Sequence, residues 1–287
     1  MAGRNFRHGL RAALRAGAAK LLCACAPFGI INWLTPDKGY RVHRAIAYGG
    51  DPRQKLDLYV PDELRVPAPV ILFFYGGRWQ SGRRQDYKAF GQAMAARGII
   101  AAVTDYRLYP QVSYPAFVQD GAAAFDMVRR TVASHGGDPA RIHLAGHSAG
   151  AYIAAMLGSD PRFLHQAGSG ISQVAGVIGL AGPYDFLPLR DTELVALFRG
   201  ANDPQILPVT HVDGPRPPML LLTGSADDTV EPGNTARMAA RLRHFGSPVR
   251  EIVYHGVGHI GIILALAPGF RGRIPLLRDI AAFVQDR

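Results

Sequence analysis

From about Val42 onward, apolar and polar positions alternate between two periods. "HRAIAYG" (43–49) and "KLDLYV" (55–60) are short alternating runs split by "GDPRQ", which predicts an antiparallel hairpin. "PVILFFY" (69–75) is continuously apolar and stops at Gly76-Gly77, as a strand buried on both faces does. Four more such runs follow: "GIIAAVTDY" (98–106), "RIHLAG" (141–146), "VAGVIGLAG" (174–182) and "PPMLLLTG" (217–224). "VREIVYHG" (249–256) closes the set of strands. Between them, helical spacing predicts helices over 84–96, 116–133, 149–157, 193–199, 231–244 and 273–286. Strands alternating with helices predict an α/β fold with a mostly parallel central sheet and helices on both faces. The hairpin belongs at one edge. The irregular, Pro-rich stretch 186–216 is the expected insertion over a site at the C-terminal ends of the strands.

Residues 1–36 read differently. Arg4, Arg7, Arg11 and Arg15 form one helical stripe, and Phe6, Leu10, Leu14, Leu21 and Leu22 form another. "LLCACAPFGIINWL" (21–34) is apolar but interrupted by Pro27 and Gly29, and it is shorter than the ~20 residues of a membrane span. Three readings compete: an interfacial anchor with arginines at anionic headgroups, a secretory signal with "ACA" at its cleavage site, or a helix docked on the body. We therefore expect a basic amphipathic leader or anchor over 1–36 and a catalytic domain over 37–287. Peripheral membrane contact and a cytoplasmic or inner-membrane location are favoured over secretion.

The net charge of +10 changes this picture little. Half of the excess lies in the first 20 residues, before the first acid, Asp37. The rest is interspersed with acids, so no nucleic-acid partner is expected. Cys23 and Cys25 are too few for a disulfide framework and read as small apolar residues. Oligomeric state is not legible in the sequence.

The chemistry lies in "RIHLAGHSAGAY" (141–152). Gly146-His147-Ser148-Ala149-Gly150 fits G-x-S-x-G between a predicted strand and a predicted helix. So tight a turn strains the serine to positive φ, and side chains two residues to either side would collide. The hydroxyl then stands at a helix N-terminus, where the Ala149 N–H faces a developing oxyanion. A serine needs a base, and the base an orienting acid. After Ser148, "LLLTGSADDTV" offers Asp227, with Asp228 and Glu231 as rivals. "YHGVGHIG" offers His259 in the loop after the next strand, with His255 as rival. Gly76 and Gly77 can carry bare N–H groups to the same oxygen. His143 reads as core and His147 as pocket lining. No H-E-x-x-H or comparable cluster occurs, so neither metal nor cofactor is expected.

These residues resemble α/β-hydrolase carboxylesterases of the hormone-sensitive-lipase and kynurenine-formamidase type, in the bacterial BD-FAE-like branch. "QKLDLYVP" (54–61) is similar to the entry hairpin and "FFYGGRW" (73–79) to the H-G-G-x-W oxyanion motif. "DYRLYP" (105–110), "GLAGPYDF" (179–186), "GSADDTV" (224–230) and "GVGHIG" (256–261) match further segments. The resemblance covers about residues 30–287. It implies the α/β-hydrolase fold and a serine hydrolase of small carboxylic esters working through an acyl-enzyme. The alternatives are an arylformamidase acting on N-formylkynurenine and a non-catalytic membrane-surface scaffold. Tyr75 departs from the family's histidine, and its hydroxyl is expected to hold the oxyanion loop instead. Thr223 likewise replaces a common histidine, a change expected to be neutral.

Overall fold

The computed structural model describes residues 27–64, 67–200 and 203–286. The arginine stripe, Cys23 and Cys25 lie outside the described residues. The chain opens with helix α1 (Pro27–Leu34) and then forms eight strands in one sheet. These are β1 (Tyr40–Ala47), β2 (Lys55–Pro61), β3 (Ala68–Phe74), β4 (Ile100–Thr104), β5 (Gly137–His147), β6 (Gly176–Leu180), β7 (Met219–Gly224) and β8 (Val249–Tyr254). Their spatial order is β1-β2-β4-β3-β5-β6-β7-β8. The hairpin β1–β2 is antiparallel, as its alternation predicts, and β2 also pairs antiparallel with β4. All later pairings are parallel.

Side chains of β3 show why its run is unbroken. Phe73 stacks on Phe90 at 3.9 Å between ring centroids, on the face covered by α2 (Lys88–Ala95). Phe74 points to the other face, against Gly121 of α3 (Ala116–Thr131). Both rings are fully buried, so neither face can carry a polar residue. Helix α4 (Ala149–Ser159) packs beside α3, where Gly121 leaves room for Ile153 and Leu157.

Three elements differ from the reading by periodicity. Residues 84–87 form a 3₁₀ turn before α2, with Tyr87 buried on Phe73. A short helix α5 (Pro161–Gln166), capped by Asp160 through the Arg162 N–H, follows α4. After α6 (Thr192–Leu197) and α7 (Gly233–His244), His259 begins a helix, α8 (His259–Leu264), where a loop was expected. Six residues are too few for a periodic signal to register. Helix α9 (Leu276–Gln285) closes the chain, its Phe283 against the buried His143.

Residues 27–36 pack on the body. Ile31 is buried with Ala89 and Ala267, the Asn32 amide donates to the Gln85 carbonyl, and Lys88 donates to the carbonyls of Asn32 and Thr35. Among the described residues, no helix is long and apolar enough to cross a membrane.

Candidate active site

Strand β5 is central, and Ser148 stands immediately past its end as the first residue outside α4. Its φ of 54° and ψ of −121° are the strained turn that the glycine pattern implies. A Cβ on Gly146 would lie 2.2 Å from the Gly150 backbone, and one on Gly150 would lie 2.0 Å from the Phe74 carbonyl oxygen. Both contacts are with backbone, so no side chain can yield. The turn is locked by the Ser148 N–H donating to the Leu180 carbonyl at 2.9 Å.

His259 and Asp227 arrive from two other loops. Gly224 ends β7 with the Val257 backbone so close that a Cβ would meet its oxygen at 2.0 Å. This draws the acid loop and the base loop together. Asp227 Oδ1 accepts from the N–H groups of Thr229 and Val230, which leaves Oδ2 for His259 Nδ1 at 2.8 Å. His259 Nε2 lies 2.9 Å from Ser148 Oγ. Nδ1 donates to the carboxylate, so Nε2 is the bare nitrogen that can take the serine proton. The rivals do not converge: Asp228, Glu231 and His255 are all exposed, and Glu231 pairs with Arg237.

His147 lies beside this set, fully enclosed. Its Nε2 faces the His259 carbonyl oxygen at 3.0 Å, and a carbonyl only accepts, so Nε2 carries the proton. Burial, reinforced by the neighbouring His259 ring, pushes its pKa down to about 3. His147 is thus a neutral strut between the base and the oxyanion loop, its Nδ1 against Gly76.

The oxyanion loop leaves β3 at Tyr75. Gly77, Arg78 and Trp79 have φ of 132°, 55° and 59°, three left-handed residues in succession. A Cβ on Gly77 would strike the Ser81 carbonyl oxygen at 2.3 Å. Such a loop needs external support. The Tyr75 hydroxyl donates to Asp105 Oδ1 at 3.0 Å and accepts from Arg53, whose guanidinium also binds the Gly82 and Tyr106 carbonyls. Asp105 in turn holds the Arg84 backbone N–H and guanidinium. Tyr75 is therefore the keystone of a buried charged network. Burial pushes the Tyr87 hydroxyl up, and a hydrogen bond from the Gly76 backbone opposes it.

Two cavities flank Ser148, and Arg78, Ser148 and Thr229 line both. One, of about 420 Å³, is walled by Trp79, Phe186, Leu187, Leu189 and Leu194. The other, of about 380 Å³, holds Gly76, Gly77, Tyr87, His147, His259 and Ile260. The insertion 186–197 forms the outer wall of the first and is tied to the oxyanion loop by Arg78–Asp191 at 2.6 Å. Sequence reasoning missed the roles of Arg78 and Arg53: Arg78 stands at the variable position of "FFYGGRW" and Arg53 in the hairpin turn, and only the fold shows which groups their side chains reach. Among the described residues no group of three or more His, Cys, Asp or Glu could hold a metal.

A probable isoprenylcysteine alpha-carbonyl methylesterase of Arabidopsis thaliana is 32% identical over 247 residues, covering 78% of this chain and 52% of its own length. Esterase LipC of Mycobacterium tuberculosis is 31% identical, covering 77% of this chain and 60% of its own. The chain thus spans only about half to two thirds of the length of these curated relatives. Among solved structures, the propionate-bound esterase of Thermogutta terrifontis superposes with a TM-score of 0.69 at 25% identity, covering 88% of this chain and 94% of that one. The fold is that of the α/β-hydrolases. Residues 56–242 match the BD-FAE family, and the chain belongs to it.

Proposed function

We propose that this chain is a serine hydrolase of carboxylic esters, with Ser148 as nucleophile, His259 as base and Asp227 as its orienting acid. The observation that carries this is His259 spanning Ser148 Oγ at 2.9 Å and Asp227 at 2.8 Å. Ser148 Oγ attacks the ester carbon while His259 Nε2 takes its proton. The carbonyl oxygen becomes an oxyanion held by the backbone N–H groups of Ala149 and of Gly76 or Gly77. Collapse breaks the bond to the leaving oxygen, and His259 returns the proton to it, releasing the alcohol. Water then attacks the acyl-enzyme by the same proton relay and frees the acid.

The proton donor fixes the sides. The leaving oxygen must face His259, so the alcohol occupies the cavity that holds His259 and Ile260. The acyl group takes the other cavity, beyond Trp79 and Phe186, whose apolar wall is rimmed by charged residues such as Arg190, Glu231 and Arg237. Its volume of about 420 Å³ falls in the range of small-molecule sites. The esterase relatives, one with propionate bound, support short esters as first substrates. The test is hydrolysis of p-nitrophenyl esters from acetate to decanoate, beside Ser148→Ala, with fluorophosphonate labelling of both. Activity and labelling lost together in the variant are expected. Equal rates in both proteins would sink the assignment.

A further inference from the structure

Helix α1 turns an apolar face outward. Ile30, Trp33 and Leu34 are 46%, 81% and 51% exposed, three of the few large hydrophobic side chains so exposed among the described residues. The opposite face is fastened down by Ile31, Asn32 and the Lys88 contacts, so the helix is a fixed platform. A Trp exposed to this degree on a rigid helix leaves its apolar area without a compensating contact among the described residues.

The platform adjoins the alcohol side of the site. Ile31, Tyr87 and Leu264 line one small gap beneath it. Tyr87 also lines the cavity that holds His259. Ile260, on the same helix as Leu264 and 43% exposed, lines that cavity too.

Charge selects the occupant. The 26 residues before α1 hold Arg4, Arg7, Arg11, Arg15 and Lys20 and no acid. A second copy would bring a leader of the same positive charge, and like charges repel. An anionic lipid surface complements it, and an indole belongs at the headgroup level of a bilayer. We infer that Ile30, Trp33 and Leu34 insert into the interface of an anionic bilayer, so that the cavity holding His259 opens beside lipid and receives esters that partition there. The choice of esters rests on the hydrolase reading; binding to the bilayer does not.

The two tryptophans make the test direct, since Trp79 is only 4% exposed and Trp33 is 81% exposed. Full-length protein is mixed with vesicles of phosphatidylcholine alone or with added phosphatidylglycerol. We expect a blue shift of Trp33 emission and co-sedimentation with the anionic vesicles, both weakened by salt. In Ile30→Ser/Trp33→Ser/Leu34→Ser, the bound fraction should fall about tenfold or more. Hydrolysis of p-nitrophenyl acetate in free solution should be unchanged in that variant. Four results would overturn the inference: no binding by the wild type, equal binding by the variant, a dimer that the variant abolishes, or Trp33 already shielded from acrylamide without vesicles. The last would mean that residues 1–26 cover the face. Vesicle binding without ester hydrolysis would instead count against the hydrolase reading alone.

Discussion

Tyr75→Phe isolates the support of the oxyanion loop. The phenyl ring keeps its stacking on Tyr106 and Tyr87, at 4.7 and 5.6 Å between centroids, so packing is conserved. What goes is the hydroxyl, which touches two charged groups. Bonds of that kind contribute about 1.5–3 kcal/mol each. Neither partner is stranded, however. Asp105 keeps the Arg84 N–H at 2.7 Å, and Arg53 keeps the Gly82 and Tyr106 carbonyls at 2.7 and 2.9 Å. The loss should therefore be near that of one such bond, about 1.5–3 kcal/mol, or roughly 3–12 °C in Tm. Asp105→Ala is the contrast. It strands the Tyr75 hydroxyl and the Arg84 N–H and takes one of two carboxylates from Arg84, which keeps Asp57 at 2.8 Å, and should cost about 3–5 kcal/mol. Because the loop backbone, and not Tyr75, supplies the donor, kcat should fall in Tyr75→Phe by about tenfold, less than the 100- to 1,000-fold of a deleted donor. Thermal unfolding and p-nitrophenyl ester kinetics on the three proteins read both effects. A Phe variant with wild-type Tm and kcat would refute the keystone role.

Asp227→Asn should leave the fold intact but lower kcat by about 10,000-fold, because the amide can donate to Nδ1 and favour the wrong tautomer; pre-steady-state ester kinetics measure it. His147 makes acid stability predictable. Below its unfolded pKa of about 6.5 the unfolded chain binds a proton that the folded one refuses until about pH 3, so stability falls as pH drops through that window, by up to about 1.4 kcal/mol per pH unit. Urea unfolding of His147→Gln should show a shallower slope there, and an identical slope would remove His147 as the cause. Gly150→Ala should not yield soluble folded protein, since its Cβ would sit 2.0 Å from the Phe74 carbonyl oxygen; a variant with wild-type circular dichroism and Tm would contradict the close approach.

Strands β3, β4, β6 and β7 were legible because each is buried on both faces, whereas β1 and β8 alternate and are partly exposed. Phe73 and Phe74 face α2 and α3, so the run "PVILFFY" contains no polar break. The serine turn was legible for a local reason: Gly146 and Gly150 are demanded by atoms within a few residues or on the adjacent strand. Asp227 and His259 follow from their places past β7 and β8: Gly224, three residues earlier, allows a turn that aims Asp227 inward, and His255 falls at the end of its strand, which leaves His259 in the loop. What the chain could not disclose by itself is which groups from distant segments meet. Arg53 reaches Tyr75 across 22 residues of sequence, and Arg78 reaches Asp191 across 113. The protonated nitrogen of His147 is set by a carbonyl 112 residues away. Local composition encodes strand, turn and strain because those are settled by near neighbours. Support of the oxyanion loop, the tautomer of a buried ring and the division of the site into two cavities depend on tertiary contacts between segments that no periodicity relates.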